Sequence, residues 1–580
     1  MIKVTYLCST EHGDKYISPS STRAKIQRIV QKIIPHLPRV LINVTTGRLH
    51  DRAALASLFK SSRVFKELVS STTARKDYVR IKREVRQYFR YVMFSHKWEE
   101  NEPLYYQVMQ TTVHDLDTSP TYDKLRTFCK IAREGGFLWA WSDTCCINQS
   151  DPLVLQEALV AMFKWYQGCA LMIVFLRGVY TSSQLGALAK SIWNTRGWTL
   201  QEYIAASVIC FYTEDWTPYL GLEIPNHKES PEIISEMEEA TGVSAQQLMA
   251  LRPGFSSIQD KLCLASTRQT TLVEDAAYSL LGIFSVAGLP AIYGEGEESL
   301  GRLLSHVLAG SGDMSILAWT GESSRFNSCL PARITVFNES PMSHLPARIS
   351  DAEMERVITP LHPSFNLDVA LSLYDRLQEL SPPWFSGKRM KLPCIAFRLP
   401  PFSRHRTRSG RYIYRADTLP FGSLEIKTKR DLSRMQTFYL IHPWLDTLLE
   451  REDRRNVTAE GASMALPSPS VDDEEISDDE VTDDDEIIDD EDEELDDAAP
   501  HPQPQLSSRG AHPLDREMRA RRLVAHLRQP FGAILLTLDS TSVRTVDYKR
   551  VVTDSLIRVQ FQEHVSLAEI YDNVRTLDVL

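Results

Sequence analysis

Polar and aromatic residues follow two apolar segments of the chain, at the point where each segment ends. Ser95, His96 and Trp98 come at the end of "YVMFS" or just after it, and Asp143 follows "FLWAW". A histidine can act as a base or a hydrogen-bond donor, and a carboxylate can hold hydroxyl groups or cations. Structural alternatives stay open for both residues. His96 could bond backbone carbonyls, and Asp143 could cap a loop or a helix through backbone N–H groups.

Two adjacent cysteines, Cys145 and Cys146, follow Asp143 in "WAWSDTCCINQSD". They lack the Cys-x-x-Cys or His-x-His spacing of a zinc site, so no metal is expected. A reactive thiol would need a nearby base, for which His96 is the candidate. Cysteine is among the most buried residue types, and we expect both to pack as small apolar groups.

The elements that must position these residues alternate between strand-like and helix-like patterns. The apolar runs "YVMFS", "FLWAWSD", "ALMIVFL" and "SVICFY" have strand length, whereas "YDKLRTFCKIAREGG", "LQEALVAMFKWYQG" and "SIWNTRGWTLQEYIAA" predict helices. This alternation predicts parallel βαβ units, whose ligands bind beyond the carboxyl ends of the strands. We therefore expect an α/β fold with a parallel sheet, and the four polar and aromatic residues at one edge of it.

A dense acidic segment determines the net charge of −11. Residues 472–497 contain nineteen acids and no lysine or arginine, so the rest of the 580-residue chain carries +8. The composition of residues 456–512 cannot bury enough apolar surface to offset chain entropy, so we expect a disordered acidic insertion. The basic stretch that follows it, "REMRARRLVAHLRQ", is a candidate electrostatic partner with the apolar spacing of a short helix.

Composition also limits the compartment and the class of protein. The apolar runs are shorter than the roughly 20 residues of a membrane span, and "MIKVTYLCSTEHGDKY" has no signal core. Nine irregularly spaced cysteines favour a reducing compartment. The sequence has no P-loop, "GEGEES" is a poor dinucleotide motif, and the basic "SRHRTRSGRYIYR" belongs to no recognised nucleic-acid module. We expect a cytoplasmic protein that binds neither membrane nor nucleic acid.

Beyond the core, strand-like runs such as "SILAWTG", "LPCIAFRLP" and "TFYLIHP" predict a β-rich accessory domain. Similar runs after the acidic segment, such as "GAILLTLDS", would complete the same sheet and make that segment an insertion. We divide the chain into an N-terminal helical segment, the α/β core, a helical region, the β-rich domain, the acidic insertion and a C-terminal β-rich segment. The bounds are 1–89, 90–212, 213–310, 311–455, 456–512 and 513–580.

Three ordered blocks, "YVMFSHKWEE", "WAWSDTCCINQ" and "NTRGWTLQEYIA", resemble the signature blocks of the fungal heterokaryon incompatibility (HET) domain. The helical pattern of residues 262–304 resembles the segment that often trails this domain, and the similarity extends over residues 38–310. Lys97 departs from the family, which more often has Thr there. Under this resemblance, residues 90–212 are the HET domain and residues 213–310 are its associated helical region.

The HET core also distantly resembles TIR domains, which have a flavodoxin-like parallel sheet. Catalytic TIR domains carry a glutamate four residues after a tryptophan, and Trp198 and Glu202 have this spacing. The resemblance implies that Glu202 is a catalytic carboxylate, that NAD is a substrate, and that Trp98 or Trp141 stacks on a flat ring. The candidate pocket residues are then Ser95, His96, Trp98, Asp143, Arg196 and Trp198.

Alternatives stay open for this second motif. Glu202 could be a surface carboxylate paired with Arg196, with Trp198 as a core residue, or Arg196 could bind an anionic phosphate. The HET resemblance implies an effector of non-self recognition that triggers programmed cell death, with protein partners of an incompatibility system and self-assembly. A non-catalytic signalling and protein-interaction module is the other candidate, because no second acid–base partner is evident for Glu202.

Overall fold

A computed structural model describes most of the chain. The insertion expected at 456–512 lies outside the described residues. The described ranges are 19–70, 78–250, 257–286, 288–338, 351–359, 366–406, 412–432, 437–444, 513–539 and 546–580.

The first sheet has six strands in the order β2-β1-β4-β3-β5-β6. The four strands β4, β3, β5 and β6 are parallel, and β1 joins β4 in the antiparallel direction. The predicted α/β fold with a parallel sheet is confirmed. The strands are β1 Val40–Asn43, β2 Leu49–Asp51, β3 Tyr91–His96, β4 Trp139–Trp141, β5 Leu171–Phe175 and β6 Ile209–Tyr212.

Local sequence signals set the bounds of the crossover helices. The helix Pro120–Glu134 begins where the Ser119 side chain accepts the Tyr122 N–H, and it ends at Gly135. Asp151 accepts two N–H groups at the start of the helix Pro152–Gly168. Strands β3 and β4 are buried throughout, as expected of parallel strands covered on both faces.

The helix predicted from "SIWNTRGWTLQEYIAA" is in fact two helices, Ile192–Thr195 and Gly197–Ala205. Arg196 interrupts them with an extended backbone, at φ −81° and ψ 139°. Backbone bonds from Gly197 N to Gln269 O and from Gln269 N to Thr195 O hold the break in place. The prediction of one continuous helix was wrong because a tertiary partner captures these backbone groups.

Helices precede and follow the core segment in sequence, and two short helices lie within it. The N-terminal ones are Pro19–Ile33, Arg52–Ser61, Arg63–Ser70 and Tyr78–Tyr88. Short helices within the core are Tyr105–Gln110 and Asp143–Cys146. After β6 come Pro231–Thr241, Ala245–Ala250, Ile258–Ser266, Asp275–Tyr278 and Glu298–Ser311. None of the described helices is long and apolar enough to cross a membrane.

The C-terminal region is rich in β-strands. Strands β8, β12, β13, β14 and β16 pair in a closed ring, because β12 pairs with both β8 and β13. A separate antiparallel sheet has the order β11-β10-β9. The strands are β7 Trp384–Ser386, β8 Arg389–Arg398, β9 Ser403–Arg406, β10 Tyr412–Thr418, β11 Gly422–Thr428, β12 Phe438–Pro443, β13 Phe531–Asp539, β14 Asp547–Arg550, β15 Ile557–Val559 and β16 Val574–Val579.

Strands β12 and β13 are neighbours although residues 445–512 and a helix lie between them in sequence. The helices of this region are Asp351–Ile358, Leu367–Gln378, Pro513–Leu527 and Leu567–Asp572. The prediction of a strand at "SILAWTG" is wrong. A 3-10 helix, Met314–Leu317, forms there because the Asp313 side chain accepts the Ser315 N–H.

Candidate functional site

The carboxyl edge of the parallel sheet holds a buried hydrogen-bonded chain of three side chains. The Trp193 indole N–H donates to the Ser95 hydroxyl over 2.7 Å, and the Ser95 hydroxyl donates to the Glu202 carboxyl in a short hydrogen bond. Ser95 is the last residue but one of β3, and Glu202 projects from the helix Gly197–Ala205 toward it. Two residues 107 positions apart in sequence thus meet at the predicted edge.

Glu202 is buried, so the alternative of a surface carboxylate is wrong. The pKa of Glu202 is raised to about 7. Burial is the largest cause and charge repulsion from Asp143 adds to it, while the Ser95 hydroxyl, Arg196 and Arg268 lower the pKa. The carboxyl therefore changes its protonation state close to neutral pH. A strongly perturbed carboxyl beside a second acid is a pattern found at catalytic sites and also in structural networks.

Asp143 lies behind Trp98. The Trp98 indole N–H donates to one carboxylate oxygen of Asp143 over 2.6 Å, and the other oxygen, Oδ1, is buried without a hydrogen bond. Burial raises the pKa of Asp143, and His96, Trp98 and Arg196 partly offset the rise. Asp143 does not cap the following long helix, because Asp151 does so. The unpartnered oxygen leaves Asp143 with unused hydrogen-bonding capacity.

His96 faces an acid instead of a backbone carbonyl. Its Nε2 atom lies 3.6 Å from Glu102, just beyond hydrogen-bond distance, and neither ring nitrogen has a hydrogen bond within the described residues. Lys124 binds the same carboxylate over 2.5 Å. Burial opposes ionisation of Glu102, but His96 and Lys124 outweigh it and lower its pKa. The alternative in which His96 bonds a strand carbonyl is wrong.

Arg196 and Trp198 lie at the helix break, and both are half-buried. Arg196 makes no ion pair with Glu202, and its guanidinium has no side-chain hydrogen bond to any part of the chain that the structure describes. Its positive charge nevertheless lowers the pKa values of Glu202, Asp143 and Asp275. Burial raises the pKa of Asp275, and Trp198 lowers it by hydrogen bonding.

A second arginine, Arg268, fixes this break from within. Its guanidinium donates to the Arg196 carbonyl, the Thr199 hydroxyl and the Asn194 side-chain oxygen, over 3.1, 2.8 and 3.0 Å respectively. It is buried, and burial lowers its pKa to about 10. We infer that Arg268 positions the segment that carries Arg196 and Glu202.

The remaining candidates divide between the core and the surface. Cys145 and Cys146 are buried, as expected of packing residues. Trp141 is also completely buried, against Trp165 and Tyr166, and has no free face on which a ligand could stack. Trp98 instead lines an open cleft of about 740 Å³, whose other walls include Lys97, Glu99 and Arg177.

Sequence patterns missed several members of this site. No sequence motif indicated four residues that lie beside the candidate residues in the structure. They are Trp193, Tyr166, Arg268 and Glu102. Tyr166 donates to the Phe94 carbonyl over 3.1 Å, and burial together with Glu202 and Asp143 raises its pKa. Only the alternation of helices and strands could have indicated that such residues converge. No three metal-ligating side chains are grouped within the described residues.

The family model described as "Heterokaryon incompatibility protein (HET)" matches residues 91–189. The chain carries a HET domain. The match includes Ser95, His96, Trp98 and Asp143, and it ends before Arg196 and Glu202. The family resemblance that the three sequence blocks predicted is thereby confirmed.

A curated relative gives the same family. The chain is 34% identical over 221 residues to "Vegetative incompatibility protein HET-E-1" of Podospora anserina. That alignment covers 36% of this chain and 15% of the relative, so most of the relative has no counterpart in it. No solved structure matches the chain. The TIR resemblance stays a prediction.

Proposed function

We propose that this chain acts in heterokaryon incompatibility, and that its HET domain triggers cell death by cleaving the nicotinamide–ribose bond of NAD. The observation that carries the proposal is the Glu202 carboxyl, hydrogen-bonded to Ser95 at the carboxyl edge of the parallel sheet. Asp143 and the cation of Arg196 lie near it. The relative with a vegetative incompatibility function supports the biological role, and the Trp198–Glu202 spacing supports the chemistry.

The proposed reaction is a hydrolysis. The bond between ribose C1′ and the pyridinium nitrogen breaks, and its electron pair stays on nitrogen to give neutral nicotinamide. Water then forms a bond to C1′ and releases a proton. The ribose passes through an oxocarbenium-like state, whose positive charge an ionised Glu202 would stabilise. Ser95 would hold the carboxylate in place, and Arg196 would bind a phosphate of the substrate.

A substrate could reach the buried Glu202 only after a rearrangement of the site. Glu202 and Ser95 are buried. Trp98 lines the open cleft, and its indole N–H donates to Asp143. We propose that displacement of Trp98 joins the cleft to the buried acids. Assembly of several copies would supply the energy for that displacement.

The alternative is a non-catalytic interaction module, and one observation favours it. The Glu202, Ser95 and Trp193 side chains bond to one another within a closed interior, as a structural polar network does. In that case the network would specify the fold of the domain, and recruitment of other factors would occur on its surface.

Substitution of Glu202 separates the two functions. We would express the wild-type chain, Glu202→Gln and the exposed control Glu134→Gln in fungal cells, and measure total NAD and cell viability. The enzyme predicts NAD loss and death with wild type and the control, and neither with Glu202→Gln. Death that persists in Glu202→Gln without NAD loss would favour the module.

The role of Arg196 has its own test. Arg196→Gln should raise the KM for NAD at least tenfold, because a charged bond to phosphate is lost, and leave the KM for nicotinamide riboside, which has no phosphate, unchanged. An equal effect on both substrates would contradict phosphate binding by Arg196.

A further inference from the structure

The N-terminal helices present a strongly basic face. Pro19–Ile33 and Tyr78–Tyr88 pack against each other, and together they contain eight lysines and arginines and one acid. Their apolar residues, among them Ile26, Ile29, Ile81 and Val85, are buried, so the charges point outward. The basic residues of this face are Arg23, Lys25, Arg28, Lys32, Arg80, Lys82, Arg83 and Arg86.

Most of these cations are not engaged with acids of the folded chain. Arg83 lies 3.5 Å from Glu84, and it makes the one ion pair that the structure records on this face within the described residues. Arg23, Arg28, Arg80 and Arg86 are exposed and have no recorded acidic partner in the described part of the chain. A face on which seven of the eight cations make no ion pair with the described residues attracts a polyanion.

Other basic segments are already engaged. In the helix Pro513–Leu527, Arg516 pairs with Asp375 and Arg521 pairs with Glu517. In the β-rich region, Arg404 pairs with Asp431 and Arg415 with Glu425. The stretch that sequence alone suggested as the partner of the acidic tract therefore has fewer available charges than the N-terminal face.

We propose that the acidic segment 472–497 of the same chain occupies the basic face of the helices Pro19–Ile33 and Tyr78–Tyr88. Nineteen acids without a lysine or arginine complement a face with a net charge of +7. The acidic segment ends 16 residues before Pro513, a length that reaches up to about 55 Å when extended. That reach is about twice the radius of gyration, about 25 Å, expected of a compact chain of this length.

Carbodiimide crosslinking of the full-length chain tests this proposal, because it joins carboxylates to lysines in direct contact. At 50 mM salt, crosslinks from 472–497 should concentrate on Lys25, Lys32 and Lys82 and avoid the exposed Lys164 and Lys429. They should fall severalfold at 500 mM salt, because screening shortens the range of the attraction. Crosslinks spread evenly over exposed lysines would overturn the proposal.

A matched pair of variants identifies the face. Reversal of four exposed arginines on the two helices should reduce the crosslinks to the three lysines at least fivefold, while the same number of reversals elsewhere should not. An equal effect of the two sets would refute a specific contact. The test variant combines Arg23→Glu, Arg28→Glu, Arg80→Glu and Arg86→Glu, and its control combines Arg133→Glu, Arg325→Glu, Arg376→Glu and Arg430→Glu.

Two further measurements exclude other occupants. A mixture of isotopically light and heavy chains should give crosslinks within one chain; crosslinks between light and heavy chains would assign the face to a second copy. Replacement of the acids of 472–497 by Asn and Gln should increase binding of a fluorescent single-stranded DNA oligonucleotide, and the four reversals on the helices should abolish that gain. Wild-type binding as tight as that of the neutralised chain would show that the face is free.

Discussion

Glu202→Gln should stabilise the folded chain at alkaline pH. The folded state raises the pKa of this carboxyl from an ordinary value of 4.5 to about 7. A group with a raised folded pKa contributes stability that is fully present below its unfolded pKa, near 4.5, and is lost as the pH rises through about 7. Glutamine keeps the shape of the side chain and an oxygen that accepts the Ser95 hydroxyl, but it never ionises.

The magnitude follows from linkage, at about 1.4 kcal/mol for each tenfold change in proton affinity. The gain in free energy of unfolding from Glu202→Gln should be about 1 kcal/mol at pH 5 and about 3 kcal/mol at pH 8. Urea denaturation followed by tryptophan fluorescence gives this difference. Hydrogen exchange of peptides from the helix Gly197–Ala205 assigns it to this domain.

The exposed variant Glu134→Gln is the control and should change stability little at either pH. A gain from Glu202→Gln that is the same at pH 5 and pH 8, or a loss at pH 8, would refute the assignment of a buried ionisable carboxyl. If the gain is found, the Glu202 carboxyl lowers the stability of the wild-type chain at neutral pH. Such a cost is typical of functional sites.

Three further predictions concern neighbours of this acid and its scaffold. Ser95→Ala removes the hydroxyl that lowers the pKa of Glu202, so the pH–rate profile of NAD cleavage should move to higher pH, whereas an unmoved profile would contradict that coupling. Arg268→Met should cost about 3 kcal/mol in urea denaturation, because it leaves buried oxygen acceptors without donors; a cost near zero would count against its positioning role. Gly282→Ala should lower the free energy of unfolding by about 2 kcal/mol, because the added Cβ would lie 2.1 Å from Phe163 Cβ. If this clash is the cause, the loss should be smaller in a Phe163→Ala background.

The sequence by itself determined the four parallel strands, two of the three crossover helices and the edge at which function was expected. Continuous apolar runs such as "YVMFS" predict strands covered on both faces, and the carboxyl ends of parallel strands must meet at one edge. Ser95 and Asp143 could therefore be placed at that edge from local patterns alone. The HET domain was also recognisable, because each of its three blocks is a continuous run of residues.

Only the tertiary structure decided which side chains touch. The break at Arg196 depends on backbone bonds to Gln269, which is 73 residues away, and no local propensity indicates such a partner. The burial of Glu202 and its bond to Ser95 likewise depend on how a helix seats on a distant strand. Side-chain spacing reports the periodicity of one element, whereas pKa values and hydrogen bonds are set by neighbours from several elements, and these exist only in the folded chain.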